Sequence, residues 1–238
     1  MKQADSLVLV PGLMCDETVW RHQVAVLGAG RDIQVAGHAL SDTLGGMAER
    51  ILDTAAPRFA LAGHSMGGRV ALEVVARAPE RVSRLALLDT GYEALAQGEA
   101  GDREKAGRYR LLGIAQRDGM LAMARDWALG MVHPGRLDDR ELMDSIHTMI
   151  ARAGVAQFEA QIRALLARPD RTDLLKVLRL PTLVLCGEDD GWSPIARHEL
   201  MARLIDGSHL VGVPDCGHMS TMEKPEAITT AMLAWLNT

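Results

Sequence analysis

Ser65 lies in the segment Gly63-His64-Ser65-Met66-Gly67, between an apolar run and an amphipathic run. A serine on a sharp turn from a strand into a helix has a strained backbone, and residues without a Cβ are needed two positions before and after it. Such a turn exposes the hydroxyl at the helix N-terminus, where the helix dipole favours developing negative charge. The spacing predicts a nucleophile for acyl transfer, with a helix-capping serine as the plainer alternative.

A serine hydroxyl is a poor nucleophile unless a base removes its proton and a carboxylate orients that base. His218 follows one predicted strand, and Asp189 and Asp190 follow another. Each of these segments begins just past the carboxyl end of a strand, the edge at which open α/β sheets build their sites. We therefore expect His218 and one of the two aspartates to meet Ser65 and form a catalytic triad.

Six short apolar runs predict the strands that deliver these residues. Runs that are apolar on both sides indicate strands buried on both faces, and hence a mostly parallel sheet of about six strands in an α/β fold. Ser193 and Pro194 predict a helix N-cap and first turn, and Pro225 predicts the start of the last helix. The predicted strands are Leu7–Val10, Ile33–Ala36, Phe59–Ala62, Leu85–Leu88, Thr182–Cys186 and His209–Val213.

From about Tyr92 to Thr172 the chain has no convincing strand, while apolar residues repeat at helical spacing. A structureless loop of that length is implausible in a compact domain, so the interval predicts a helical insertion. The expected organisation is a core of residues 1–92 and 176–238, with residues 93–175 as a helical cap, or lid, over one edge of the sheet.

Composition excludes several classes of protein. The chain has 238 residues, 48% apolar and 24% charged, with a net charge of −5, as in an ordinary globular protein. Without a basic block it is not expected to bind nucleic acid, and no apolar stretch is long enough to cross a membrane. Three cysteines without paired spacing and the absence of a signal-like N-terminus favour a cytoplasmic protein.

Four motifs together resemble those of the α/β-hydrolase family, over essentially the whole chain. In that family's pattern the catalytic acid falls on Asp190, with Asp189 as the alternative. The resemblance also implies an oxyanion hole made by the backbone N–H groups of Met66 and Leu13. The motifs are Val10-Pro11-Gly12-Leu13, Gly63-His64-Ser65-Met66-Gly67-Gly68, Gly187-Glu188-Asp189-Asp190 with Pro194, and Cys216-Gly217-His218.

The expected activity is hydrolysis of a carboxylic ester of a small or medium apolar substrate through an acyl-enzyme, without a metal or organic cofactor. Few aromatic residues and a cap rich in Leu, Met and Ala favour an apolar group over a polyanion or a sugar. Alternatives are a lactonase, a thioesterase, a carbon–carbon bond hydrolase, a perhydrolase and a non-catalytic small-molecule receptor. The sequence leaves a monomer and a dimer equally open. Candidate pocket residues are Met14, Trp127, Trp192 and Met219.

The other histidines, and the charged residues of the helix after Ser65, are expected to have structural rather than catalytic roles. His64, beside the predicted nucleophile, is expected to be a packed, hydrogen-bonded residue, and the remaining histidines lack metal-ligand spacing. Arg69, Glu73 and Arg77 recur at four-residue intervals, which predicts a solvated helix face. None of these residues is predicted to take part in catalysis.

Overall fold

The computed structural model describes residues 6–238 and has at its centre a six-stranded sheet, so residues 1–5 of the predicted core lie outside the described residues. All five strand pairings are parallel, in the order β2-β1-β3-β4-β5-β6. The predicted α/β class and parallel sheet are confirmed. The strands are β1 (Ser6–Val10), β2 (Ile33–Val35), β3 (Phe59–His64), β4 (Val82–Leu88), β5 (Thr182–Gly187) and β6 (His209–Val213).

Burial explains why these runs form strands. Every residue of β3 and β5 is buried, whereas the edge strands β2 and β6 are only partly covered. Central strands covered by helices on both faces must be apolar at every position, which is the pattern of continuous apolar runs in the sequence.

The strand order reverses between β1 and β3, because the chain first adds β2 on one side of β1 and then β3 on the other. The carboxyl ends of neighbouring strands diverge at such a switch point and leave a crevice. The register pairs Val10 with Gly63, so the loop after β1 lies beside the turn after β3. This arrangement brings Leu13 and Ser65 to one edge of the sheet.

Eleven α-helices complete the described part of the chain, and five of them lie between β4 and β5, where residues 89–181 contain no strand. We call α4–α8 the five-helix insertion; its role as a cap with the predicted boundaries stays a prediction. The helices are α1 (Arg21–Leu27), α2 (Leu44–Thr54), α3 (Met66–Arg77), α4 (Glu99–Asp118), α5 (Met120–Ala128), α6 (Arg140–Arg152), α7 (Val155–Leu166), α8 (Thr172–Val177), α9 (Ile195–Leu204), α10 (Ser220–Glu223) and α11 (Pro225–Leu236).

Two sequence-based expectations are wrong in detail. The N-cap of α9 is Pro194 rather than Ser193, and the backbone N–H of Ser193 donates to the Asp190 carboxylate. The face of α3 that carries Glu73 is not solvated: Glu73 is 3% exposed and pairs with Arg77 and Arg171. Spacing along one helix cannot reveal which other element packs against it, and here residue Arg171 from the end of the insertion does so.

Across residues 6–238, none of the helices combines the length and the apolar character that crossing a bilayer requires.

Candidate active site

Ser65 occupies a strained turn between β3 and α3. Its backbone has φ 55° and ψ −121°, a conformation that residues with a Cβ rarely adopt. A Cβ on Gly63 would lie 2.3 Å from the carbonyl oxygen of Gly67, and one on Gly67 would lie 2.1 Å from the carbonyl oxygen of Val10. The two glycines therefore allow the tight approach that presents the Ser65 side chain at the sheet edge.

Ser65, His218 and Asp190 form a continuous chain of hydrogen bonds. His218 Nε2 lies 2.8 Å from Ser65 Oγ, and His218 Nδ1 lies 2.8 Å from Asp190 Oδ2. These residues follow β3, β6 and β5, and they are separated by up to 153 positions in the sequence. The structure thus brings together the three side chains that the sequence singled out.

The two adjacent aspartates have different environments. Asp190 is 2% exposed, and its Oδ1 accepts hydrogen bonds from the backbone N–H groups of Trp192 at 2.8 Å and Ser193 at 2.9 Å. The side chain of Asp189 is 47% exposed and lies 3.8 Å from His133. Asp190 is therefore the aspartate that contacts His218.

Electrostatics favour a charged Asp190 beside a basic His218. Burial alone would lower the pKa of His218, but the charge and hydrogen bond of Asp190 outweigh burial and raise this pKa above its usual value. Burial also opposes ionisation of Asp190, yet His218 and the two backbone N–H donors bring the pKa of Asp190 down to about 2. An imidazole with raised proton affinity is suited to accept the proton of a hydroxyl.

Met66 and Leu13, whose backbone N–H groups are the predicted oxyanion donors, both line the same cavity as Ser65. Met66 is the first residue of α3, so its N–H has no partner within the helix. The loop that carries Leu13 is fixed by the next residue, because Met14 N donates to Gln161 Oε1 of α7 at 2.8 Å.

Glu223, which the sequence interpretation missed, organises the loop that carries His218. Its carboxylate accepts hydrogen bonds from Gly217 N and Met219 N, at 3.1 Å each, and from His133 N at 2.7 Å. Burial raises the pKa of Glu223 despite these donors. A glutamate five residues after a predicted catalytic histidine is a weak sequence signal, because only the folded loop shows which N–H groups it receives.

A second buried polar cluster lies behind the histidine. His64 Nε2 lies 2.8 Å from the carbonyl oxygen of His218, and Asp89 receives hydrogen bonds from Gly187 N and from the Ser220 hydroxyl. Burial, together with the charge of His218, lowers the pKa of His64 to about 3, so its ring is neutral at pH 7. His64 is thus a packed, hydrogen-bonded residue, and Asp89 had a usable signal in the sequence, since it directly follows β4.

A cavity of about 560 Å³ opens over Ser65 and His218, between the sheet edge and the five-helix insertion. Three of the four predicted pocket residues line it: Trp127, Trp192 and Met219. The Trp192 ring stacks on Trp127 with centroids 5.6 Å apart and lies 5.0 Å from the His218 ring. Met14 differs from the expectation: it is 1% exposed, belongs to the hydrophobic core and is not part of the cavity wall.

The cavity wall also includes Cys15, a possible competing nucleophile. Burial, reinforced by the charge of Asp16, raises the pKa of the Cys15 thiol to about 12, so the thiol is protonated at pH 7. Within residues 6–238 there is no cluster of three or more His, Cys, Asp or Glu side chains placed to hold a metal ion. The nucleophilic chemistry of this cavity therefore centres on Ser65.

Two proteins with named activities are similar to this chain over more than nine-tenths of its length. The chain is 30% identical, over 97% of its length, to the dihydrolipoyllysine-residue acetyltransferase component of the acetoin cleaving system of Pseudomonas putida, but it spans 63% of that protein. It is 26% identical to the pimeloyl-[acyl-carrier protein] methyl ester esterase of Nitrosomonas europaea, over 92% of this chain and 91% of that one.

Among solved structures, a thermophilic esterase from Thermogutta terrifontis superposes with a TM-score of 0.85 and is 30% identical, over 99% of this chain and 90% of that one. A family model described as the alpha/beta hydrolase fold matches residues 47–225, a range that runs from α2 to the first residue of α11 and includes Ser65, Asp190 and His218. Since that match covers well over half of the sequence, the chain belongs to the α/β-hydrolase fold family.

Proposed function

We propose that this protein is a serine hydrolase that cleaves a carboxylic ester of a small or medium-sized substrate through an acyl-enzyme intermediate. The observation that carries the proposal is the pair of 2.8 Å contacts that link Ser65 Oγ to His218 and His218 to Asp190. A hydroxyl, a basic imidazole and a buried carboxylate in this order are the parts that acyl transfer requires.

In the first half of the reaction, Ser65 Oγ attacks the ester carbonyl carbon while His218 Nε2 accepts the hydroxyl proton. Asp190 stabilises the imidazolium that forms, and its hydrogen bond to Nδ1 keeps the ring oriented. The oxygen of the tetrahedral intermediate takes the negative charge, which the N–H groups of Met66 and Leu13 stabilise. His218 then gives its proton to the departing alkoxide, which leaves as the alcohol.

In the second half, a water molecule attacks the acyl-enzyme carbonyl while His218 accepts a proton from that water. Collapse of the second intermediate breaks the bond to Ser65 Oγ, and His218 returns the proton to the serine. The products are the carboxylic acid and the regenerated enzyme. Every proton passes through one imidazole, so the reaction needs no further acid or base.

The size and wall of the cavity support a small-molecule ester as the substrate. A volume of about 560 Å³ is in the usual range for small-molecule sites. The wall includes the apolar side chains of Leu13, Met66, Trp127 and Met219, which fit an apolar group of the substrate. The five-helix insertion, whose helices run from Glu99 to Val177, serves in this proposal as the cap on this side of the sheet.

Relatives with named activities support the same class of reaction. The protein from Nitrosomonas europaea is named as a methyl ester esterase, and the protein from Thermogutta terrifontis is described as an esterase. Both are similar to this chain over more than 90% of its length. An ester-acting enzyme is therefore the activity that similarity and site geometry support together.

A kinetic panel of p-nitrophenyl esters with acyl chains of rising length tests this proposal. We expect multiple turnover of short or medium esters by the wild-type protein and a loss of about 10⁶ in kcat for Ser65→Ala. Ser145→Ala, at a half-buried position of α6 outside the cavity wall, is the matched control and should keep wild-type kcat. Absence of turnover with every ester, or equal turnover by Ser65→Ala, would refute the proposal.

A further inference from the structure

Four arginine side chains line the same cavity as Ser65 and His218. They come from α3, from α4, from the segment between α7 and α8, and from α9, so four separate elements direct guanidinium groups to one place. We call this group the arginine cluster. Its members are Arg69, Arg108, Arg168 and Arg197.

Shared hydrogen-bond acceptors show that the cluster is contiguous. The carbonyl oxygen of Glu93 accepts from Arg69 Nη1 at 2.7 Å and from Arg168 Nε at 3.3 Å, and the Glu93 carboxylate lies 3.7 Å from Arg197. The Glu104 carboxylate accepts from Arg168 at 2.7 Å and from Arg108 at 2.7 Å. Two glutamates thus hold four arginines together.

The charges within the cluster do not balance. Four guanidinium groups face the carboxylates of Glu93 and Glu104, whereas the other arginines of the wall, Arg103 and Arg110, each have an acidic partner of their own. Within the described residues, Arg69 has no carboxylate within 4 Å and donates only to the backbone of Glu93. Burial, and then the charges of Arg168 and Arg197, lower the pKa of Arg69 to about 9, which reports the same excess of positive charge.

Gly91 leaves room in the cavity for the guanidinium group of Arg69. A Cβ on Gly91 would lie 2.5 Å from Arg69 Nη2 and 3.3 Å from Arg197 Cδ, so the glycine leaves the room that both side chains use. A partly buried guanidinium without a carboxylate has donors available for an incoming anion, and its planar fork matches a carboxylate.

We propose that the arginine cluster binds a carboxylate carried by the substrate, so that the preferred esters are those of acids or alcohols that bear a second, ionised carboxyl group. The inference rests on the proposed function, since it names the substrate class of the same cavity. It revises the sequence-based expectation of an apolar substrate, because the cavity is lined by arginine side chains as well as by apolar ones.

Ser65 and Arg69 are four positions apart in the chain, at the N-terminal end of α3, and both line the same cavity. Suitable probes are therefore small esters that carry a carboxylate a few carbon atoms from the ester group. The acid group can be on the acyl side, as in monomethyl glutarate, or on the alcohol side, as in 4-acetoxybutanoate.

A comparison of three esters on the wild-type protein tests the proposal. We expect kcat/KM for monomethyl glutarate or 4-acetoxybutanoate to exceed that for neutral methyl pentanoate by about 10- to 100-fold at low salt. The advantage should shrink at high salt, because screening weakens the contact between charges. The acid that is preferred identifies the side of the ester that faces the cluster. Hydrolysis of methyl pentanoate equal to or faster than that of both acids overturns the inference and leaves the proposed hydrolase intact.

Substitution of one arginine gives the second test. Arg69→Gln keeps a polar side chain, though a shorter one, and removes the charge, so it should lower the ratio of acidic to neutral ester kcat/KM by about 10-fold or more. Arg203→Gln, at an exposed position of α9 outside the cavity wall, is the matched control and should leave that ratio unchanged. An unchanged ratio in Arg69→Gln overturns the inference.

Glutarate, which has no ester bond, separates binding from hydrolysis. We expect glutarate to raise the Tm of the wild-type protein and of Ser65→Ala, and to raise the Tm of Arg69→Gln less. If no ester is hydrolysed but glutarate still stabilises the protein through Arg69, the hydrolase proposal fails and the anion site stands. Absence of stabilisation in the wild-type protein counts against the anion site.

Discussion

At the scale of single residues, Asp189 and Asp190 show how one step along the backbone separates two roles. The sequence limited the catalytic carboxylate of the triad to these two residues, and the motif pattern of the α/β-hydrolase family favoured Asp190. Only the fold shows why: the loop after β5 buries Asp190 and supplies two backbone N–H donors to its free oxygen, while Asp189 faces solvent. The backbone contacts that select one carboxylate depend on loop conformation, which residue type does not determine.

Substitution of each aspartate tests this distinction. Asp190→Asn should lower kcat for the best ester by about 10⁴, because the imidazole loses the carboxylate that orients it and stabilises its charge. Asp189→Asn is the matched control, with the same change of charge one residue away, and should stay within a few fold of the wild type. A larger loss in Asp189→Asn than in Asp190→Asn would show that the assignment is reversed. Steady-state kinetics on both variants decides the matter.

The raised pKa of His218 predicts a pH profile. A general base works only when unprotonated, so kcat/KM should rise with pH and reach half of its maximum above pH 6.5, the usual pKa of histidine. In Asp190→Asn the largest effect that opposes burial is lost, so the pKa of His218 falls and the midpoint of the residual activity should move to lower pH. An identical midpoint in the two proteins would contradict the coupling. The measurement is kcat/KM across pH 5 to 9 in both.

At the scale of elements, strands were far more predictable than the loops that connect them. Apolar runs located all six strands because a buried parallel strand has no polar face, and the end of each strand located Ser65, Asp190 and His218. Glu223 and the arginine cluster could not be found in this way. Their contacts join segments distant in sequence, and charged residues on a helix are equally compatible with solvent.

Glu223 provides a test at this scale. Its carboxylate receives three backbone N–H groups around His218, so Glu223→Gln removes one acceptor oxygen and the negative charge that these donors face. We expect kcat to fall by about 10-fold or more while KM changes little, since loop misplacement affects the base rather than the cavity. The exposed Glu226→Gln in α11 is the matched control. Equal kcat in both variants would exclude a positioning role for Glu223.

At the scale of the whole molecule, the five-helix insertion and the sheet edge build one cavity together. The sequence predicted helices in this interval but not their contacts with the core, because nothing in the helical periodicity identifies the partner of each face. Gln161 of α7 is an example of a contact that periodicity could not predict. Its side-chain amide is fully buried and accepts a hydrogen bond from Met14 N, in the loop after β1. The insertion therefore fixes the loop that carries the proposed oxyanion donor Leu13.

Replacement of Gln161 tests this connection. Gln161→Leu leaves the buried Met14 N–H without an acceptor, which should lower the free energy of unfolding by about 1–3 kcal/mol. At this chain length such a loss lowers the Tm by roughly 2–4 °C per kcal/mol. The control is Gln116→Leu, at an exposed position of α4. Thermal unfolding of both variants gives the comparison, and equal Tm values would show that this contact adds nothing to stability.

Covalent labelling with a fluorophosphonate measures directly whether His218 activates the Ser65 hydroxyl as a nucleophile. Intact mass and peptide mapping should show one adduct per chain, on Ser65, with no adduct in Ser65→Ala and much slower labelling in His218→Ala. Labelling on another residue, or a wild-type protein that turns over esters while Ser65 stays unmodified, would show that Ser65 is not the activated nucleophile.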